Sequence, residues 1–343
     1  MRGAVIKPSY LIILAACFAV SAALCLDREN KLSVQPAGRD ILRAQSSDDD
    51  DGNTDNDYTS RETRTEKGTS QKIFREGASL KAEYSFINFN KDGLSVSFAM
   101  AEKDYKRYLA DYGYSDADLA ILNSWRENAR QAAWKAVVPK GGKAAGEKAL
   151  AEVETEYDTR LRALLHSRGM ALRLGNKVEC DIPLIVKRNA KLLNPLAMAL
   201  QKVAVEKSYA EEDIVGAALS LVQTAVRYKI PPPIENGLHT GGLWPPGRTL
   251  LGGWGDCDTK TALLAGILSS WKGMRMVGVA VPGHYLMAIR RLPGKGDIFV
   301  RYEGLEYVLV EPAGPAWLEP GRVGVHTTEL LAGAEGYKVE PFF

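Results

Sequence analysis

The residues with most chemistry to offer are a cysteine, a histidine and a glutamate. Cys257 stands in "GGWGDCDTKTALLAGIL", between two aspartates and just ahead of an apolar helical run. A core cysteine sits among apolar neighbours, whereas this one follows three glycines and a tryptophan. A free thiol ionises near pH ~8.5, and a helix N-terminus lowers that value. At the first turn the sulfur would meet the positive end of the macrodipole. The unpaired amides there would also hold an oxyanion. One of the flanking aspartates, Asp256 or Asp258, would cap the helix. Their charges oppose ionisation of the thiol, so they are expected to point away or be paired.

A nucleophilic thiol needs a base. Of the four histidines, His166 falls in a polar helical segment, His326 in the C-terminal tail and His239 in a long loop. His284 follows "VAVPG" and opens the strand-like run "HYLMAI". Glu311 closes the next such run, "EYVLVEP", an odd place for a solvated charge. Nucleophile, base and an acid to orient the base make a complete set for attack on a carbonyl. The competing assignment is a buried free cysteine, a satisfied strand histidine and a capping acid.

These groups need elements to hold them. "DTKTALLAGILSSW" is a helix ended by Lys272-Gly273, and "MRMVGVAVPG", "HYLMAIRRL" and "YEGLEYVLVEP" are strands of an antiparallel meander. Upstream, residues 181 to 229 hold two helices, the second opened by a capping box of Ser208 with Glu211. Its apolar face carries Ile214, Ala217, Ala218, Leu221, Val222 and Ala225. Gly216, Ser220, Gln223 and Arg227 lie opposite and read as a solvated face. The Pro/Gly-rich loop 230 to 249 is expected to line the cleft. Residues 79 to 100 alternate and break at Asn90-Lys91-Asp92-Gly93, a hairpin. Ser115 caps a helix running to about Val138, "PKGG" breaks it, and a second helix with the stripe Val153, Tyr157, Leu161 and Leu164 folds back on it.

The first 26 residues pair Arg2 and Lys7 with the apolar run "YLIILAACFAVSAALCL", the pattern of a secretory signal cleaved near "SAA". "LAAC" also fits a lipobox at Cys17, and an uncleaved anchor is the third alternative; Cys25 would survive cleavage as a tail thiol. Residues 27 to 72 are polar, with a run of aspartates, and read as a disordered linker. The spacing fails the EF-hand template, because Tyr58 falls where the bidentate glutamate belongs. The chain thus divides into a signal (1–26), a linker (27–72), a hairpin and helix-pair region (73–180) and a domain carrying the chemistry (181–343). A net charge of +2 with no basic stripe argues against a nucleic-acid partner. No CxxC pair exists among the four cysteines, so neither a thiolate metal site nor any other cofactor is expected. Cys180 reads as structural, with one disulfide to Cys257 open to it in an oxidising compartment.

In "GDCDTKTALLAGIL", "PGHYLMAI" and "YVLVEPAG" the chain resembles the transglutaminase-like superfamily, its exported bacterial members in particular. The segment "ALSLVQTAVRYKIPPP" is similar to the helix that precedes the cysteine in such proteins, and the likeness covers residues 181 to 315. The resemblance implies an α+β, papain-like cysteine-enzyme fold, a helical part packed on an antiparallel sheet, here with an N-terminal hairpin and helical extension. It implies Cys257 as nucleophile, His284 as base and Glu311 as orienting acid, glutamate standing where the family has aspartate. The activity implied is acyl transfer through a thioester, with a peptide or protein substrate in the periplasm or outside the cell. Membrane contact would come only through the N-terminal segment. No oxyanion side chain carries over; Gln223, Trp254 and Trp244 are the candidates. Calcium dependence belongs to animal members and is not implied. A non-catalytic member of the same fold that binds an envelope ligand is the alternative.

Overall fold

The computed structural model describes residues 61–66, 68–333 and 336–342. The signal segment and most of the linker expected from sequence lie outside the described residues. The linker does not reach residue 72, however. Strands β1 (Arg61–Glu66) and β2 (Thr69–Glu76) precede β3 (Ser79–Ile87) and β4 (Gly93–Ala101), and the four pair antiparallel in sequence order. The expected hairpin is therefore half of a larger sheet. Strand β2 was hidden because its inward residues are polar: Thr69 and Gln71 are buried. Gln71, with its amide oriented to suit both neighbours, donates to the Gly253 carbonyl at 3.1 Å and accepts from Arg227 Nε at 2.8 Å. Satisfied in this way, a polar side chain is tolerated in the interior.

Strands β3 and β4 alternate as a half-buried sheet must. Leu80, Ala82, Tyr84 and Phe86 on one, and Leu94, Val96 and Phe98 on the other, face inward. They share one apolar cluster with Leu193, Leu219 and Leu264 from beyond residue 180. The boundary drawn there from sequence does not separate two cores. The Tyr84 hydroxyl also donates to the Leu250 carbonyl across it.

Helix α1 (Glu102–Ala110) leads to α2 (Asp116–Ser167). Ser115 caps α2 in a box with Asp118, as its sequence predicts. Gly142, at φ 71°, breaks α2, and the two arms fold back on each other. Arg126 and Arg130 reach Glu154 at 2.5 and 2.6 Å, and Tyr157 donates to Asn123 Oδ1 at 2.8 Å. A continuous helix, rising ~1.5 Å per residue, would hold these pairs tens of ångströms apart.

Helices α3 (Ile182–Lys207) and α4 (Glu211–Ser220) follow. The expected capping box at Ser208 is corrected: Ser208 ends α3 in the left-handed region at φ 57°, and the Asp213 carboxylate accepts from the Ala210 amide. Residues Leu221–Ala225 form a π-helical turn. The two-residue strands β5 (Arg227–Tyr228) and β6 (Trp254–Gly255) pair in parallel, with α5 (Pro246–Gly252) between them.

Helix α6 (Cys257–Leu268) runs through the middle of the molecule, and nearly all its residues are buried. A helix apolar on every face belongs in an interior. It packs between α3 and a five-stranded antiparallel sheet made of β7 (Met276–Val281), β8 (His284–Arg290), β9 (Phe299–Tyr302), β10 (Leu305–Val310) and β11 (Lys338–Pro341). The spatial order is β9-β10-β8-β7-β11. The run expected as one strand from Tyr302 is a hairpin end: Glu303 and Gly304, at φ 50° and 76°, form the tight turn between β9 and β10. Helix α7 (Val325–Ala332) covers the other face. The molecule is thus α+β, a helical layer on an antiparallel sheet with a second sheet closing its core.

A shared core predicts shared unfolding. Phe86→Ala, in the N-terminal sheet, should lower stability by about 3–5 kcal/mol and move one cooperative urea transition as a whole. Two transitions, with only the first displaced, would mean that the N-terminal sheet folds separately.

Candidate functional site

Cys257 is the first residue of α6, and Asp256 is the N-cap, its Oδ1 accepting from the Thr259 amide at 3.2 Å. The glycines before it serve the backbone. Gly253 ends α5 at φ 74°, where a Cβ would also collide with Gln71. At Gly255 a Cβ would lie 2.4 Å from Thr259 Cγ2. The cysteine is 8% exposed, and it opens onto a cleft of about 540 Å³.

Pro282-Gly283 makes a two-residue turn between β7 and β8, with Gly283 at φ 69°. Proline then glycine is the pairing a type II turn requires. His284 is the first residue after it and lines the same cleft. The next amide, that of Tyr285, favours a charged sulfur at Cys257, and Cys257 and His284 line the one cleft.

Glu311 immediately follows β10, next to β8 in the sheet, and is 4% exposed. Its carboxylate is fully engaged. His284 Nε2 donates to Oε2 at 2.7 Å, Thr327 Oγ1 to the same oxygen at 3.3 Å, and the Ala313 amide to Oε1 at 3.1 Å. With Nε2 committed to the carboxylate, Nδ1 is the ring nitrogen left as an acceptor. Thr327, on α7, escaped sequence reading because nothing in "GVHTTELL" marks it.

Burial draws the imidazole down, but the hydrogen bond and charge of Glu311, with Asp258 and Asp256 behind them, hold His284 above its usual 6.5. The thiol is pushed well above its ordinary range, first by burial and then by Asp258 and Asp256. The aspartates therefore do not point away. Asp258 Oδ1 accepts from the Cys257 thiol at 3.3 Å. The Tyr285 amide works in the opposite direction without winning.

The oxyanion candidates fare differently from these three residues. Gln223 is 1% exposed, not on a solvated face, and both its N–H bonds are spent, on the carbonyls of Glu311 (2.7 Å) and Leu318 (3.0 Å). Trp254 lies against Trp244, tilted by 42° with ring centroids 3.6 Å apart, and Lys229 and Arg248 lie over the rings of Trp254 and Trp244. Neither Gln223 nor either tryptophan lines the cleft. The loop expected to do so contributes Ile230 alone, because Leu243, Trp244 and the residues after them turn into the core. His239 pairs with Asp116 at 2.8 Å and stacks on Tyr114, away from the site. Neither Cys180 nor Cys257 is in a disulfide; Cys180 donates to the Thr240 carbonyl.

Among the described residues, no group of three or more His, Cys, Asp or Glu side chains is placed to hold a metal ion. No helix among them is long and apolar enough to cross a membrane. No family model, curated protein or solved structure matches the chain.

The His284–Glu311 pair carries a signed pH dependence. The folded chain binds the imidazole proton more tightly than the unfolded one. The resulting stability is complete below about pH 6.5 and fades as the pH rises through the raised folded value. Glu311→Gln should flatten that slope in a pH series of urea midpoints. An unchanged slope would show that the carboxylate does not hold the proton.

Proposed function

We propose that this chain is an exported, thiol-dependent acyl-transfer enzyme on a papain-like fold, cleaving a peptide or isopeptide bond through a thioester on Cys257. The observation that carries this reading is the convergence of the sulfur, the imidazole and its buried carboxylate on one cleft. The resemblance of the three motifs to the transglutaminase-like superfamily supports it independently.

The chemistry follows from the positions. Sγ attacks the substrate carbonyl carbon while His284 Nδ1 accepts its proton, because the thiol is neutral at rest. Glu311 fixes the ring and stabilises the imidazolium as it forms. The amide of Cys257, at the positive end of α6, faces the developing oxyanion. Collapse breaks the C–N bond, and the imidazolium gives its proton to the departing amine. Water, or a second amine, then attacks the thioester and releases the thiol. Hydrolysis is the default outcome, since water outcompetes amines unless the site excludes it. Tyr228, Ile230, Pro282, Pro315, Ala316 and Leu318 give the cleft walls much apolar surface. These walls suit a peptide segment with apolar side chains. Export rests on the signal-like residues 1–26, and on this reading the substrate lies in the cell envelope or outside the cell.

One observation favours a second reading. A thiol buried and raised by two aspartates also fits a fold that has kept its cleft for binding an envelope peptide and has lost catalysis.

Alkylation separates the two. With a base at hand, iodoacetamide should modify Cys257 along a pH profile that carries the His284 inflection, and His284→Ala should erase that inflection. Acyl transfer from an envelope substrate to Cys257, followed by mass spectrometry of the Cys257 adduct, should fall by about 10²–10⁴ in the same variant. A profile identical in both proteins, with no adduct, would sink the enzyme and leave the binding protein.

A further inference from the structure

A lysine lies buried under the site, and the mechanism above does not use it. Lys260, three residues after Cys257 on α6, is 0% exposed. Its Nζ donates to the carbonyl of Val226 at 2.8 Å and to that of Gln223 at 3.5 Å, at the end of the π-helical turn. Gln223 in turn holds the far wall of the cleft. Its Nε2 bonds the Glu311 carbonyl and it pairs with Leu318 in both directions, Nε2 to the carbonyl and Oε1 from the amide at 3.1 Å. The segment from Glu311 to Leu318 lies directly on this pair. A Cβ on Gly314 would come within 2.2 Å of the Gln223 carbonyl oxygen and 3.0 Å of Lys260 Nζ.

Burial disfavours an ammonium at this depth, and a neighbouring opposite charge is what favours it; Glu311 is the carboxylate that acts on Lys260 in that direction. We propose that Gln223 and Lys260 are positioning residues for Glu311. Gln223 fixes its main chain and the 312–318 wall, while Lys260 places a positive charge behind the carboxylate and limits its grip on the His284 proton. The proposal rests on the acyl-transfer reading and assigns it two residues that sequence placed elsewhere or overlooked.

The charges facing the ring are Glu311 from the end of β10 and Asp258 and Asp256 from the start of α6. All three are acidic. They favour the protonated imidazole, which cannot accept a proton from the thiol. Lys260 acts on one of them, Glu311. Burial lowers Lys260 to about 7, with Glu311 pulling it back up. Lysine and histidine thus share one carboxylate and titrate as a coupled set.

The test follows the His284 ring by NMR across pH in the full chain, a readout that needs no substrate. Lys260→Met should raise the His284 midpoint by half a unit or more, about a threefold change in its protonation equilibrium. Lys260→Arg, which keeps the charge, should leave it near the wild-type value. Gln223→Leu should accelerate hydrogen exchange across residues 311–318 without moving the midpoint. Should Lys260→Met fail to fold, the 15N shift of Lys260 Nζ in wild type and Glu311→Gln answers the same question. Its midpoint should drop by about a unit when the carboxylate is lost. A His284 midpoint indifferent to Lys260→Met, or a Lys260 midpoint indifferent to Glu311→Gln, overturns the charge coupling. Unchanged exchange across 311–318 in Gln223→Leu overturns the clamp. Neither result bears on alkylation of Cys257, whose indifference to His284→Ala would sink the enzyme reading alone.

Discussion

Glu311 is a carboxylate taken out of water, and much of the site is organised by the need to satisfy it. An ionised group at that depth is costly unless it is paired and hydrogen-bonded. Each carboxylate oxygen has a donor, His284 and Thr327 on one and Ala313 on the other, while Gln223 takes the main-chain carbonyl. These donors come from four different parts of the fold: the start of β8, helix α7, the turn after β10 and the π-helical turn. Moving any one of them misplaces the carboxylate, and with it the imidazole whose tautomer it sets.

The central helix applies the same constraint from the other side. Its burial on all faces leaves Cys257 little freedom, and Thr261 ties it to the strand that carries His284 by donating to the Tyr285 carbonyl at 3.2 Å. The N-terminal sheet is part of this brace. Gln71 bonds the carbonyl of Gly253, in the backbone that leads to Cys257, and the side chain of Arg227. Phe89, just beyond β3, meets Trp317 of the cleft-wall loop edge-on at 4.9 Å. The extension upstream of residue 180 thus touches the site at two points, although it lends the cleft no residue.

How much of this was legible in the sequence depended on contrast. Cys257, His284 and Glu311 stood out because each stands at the edge of an apolar run, and the structure brings all three to one cleft. The Asn90–Gly93 turn, the Ser115 cap and the break at Gly142 were legible for a local reason: turn and cap chemistry is decided by a few adjacent residues. Polar residues that the fold buries gave no such contrast. Thr69 and Gln71 looked like linker, Gln223 like a solvated face, and Lys260 passed unremarked inside "TKTALL". Their partners lie far off in sequence, at Gly253, Arg227, Leu318 and Val226. Periodicity records which face a side chain occupies, not which distant carbonyl waits for it. Ser208 failed for a related reason, since a residue that ends one helix in the left-handed region resembles the cap of the next.

The electrostatics of the thiol run against the simplest version of the proposed chemistry and favour a subtler one. A helix N-terminus should encourage a thiolate, yet burial and the carboxylates of Asp258 and Asp256 raise Cys257 well above its ordinary range. The same two aspartates, with Glu311, raise His284. Negative charge on sulfur is therefore discouraged while positive charge on the ring is encouraged. In the transition state for attack the proton has moved to the ring, and the negative charge has left sulfur for the carbonyl oxygen near the α6 amides. The group the aspartates destabilise is then disappearing, and the group they stabilise is forming. Interactions stronger in the transition state than in the ground state are the ones that accelerate a step. On this account the acidic flanks of Cys257 are compatible with catalysis, provided that the proton leaves as the bond forms, and provided that the carboxylates do not hold the ring protonated beforehand. Lys260, buried beneath the 311–318 wall, is the group proposed to serve that second condition.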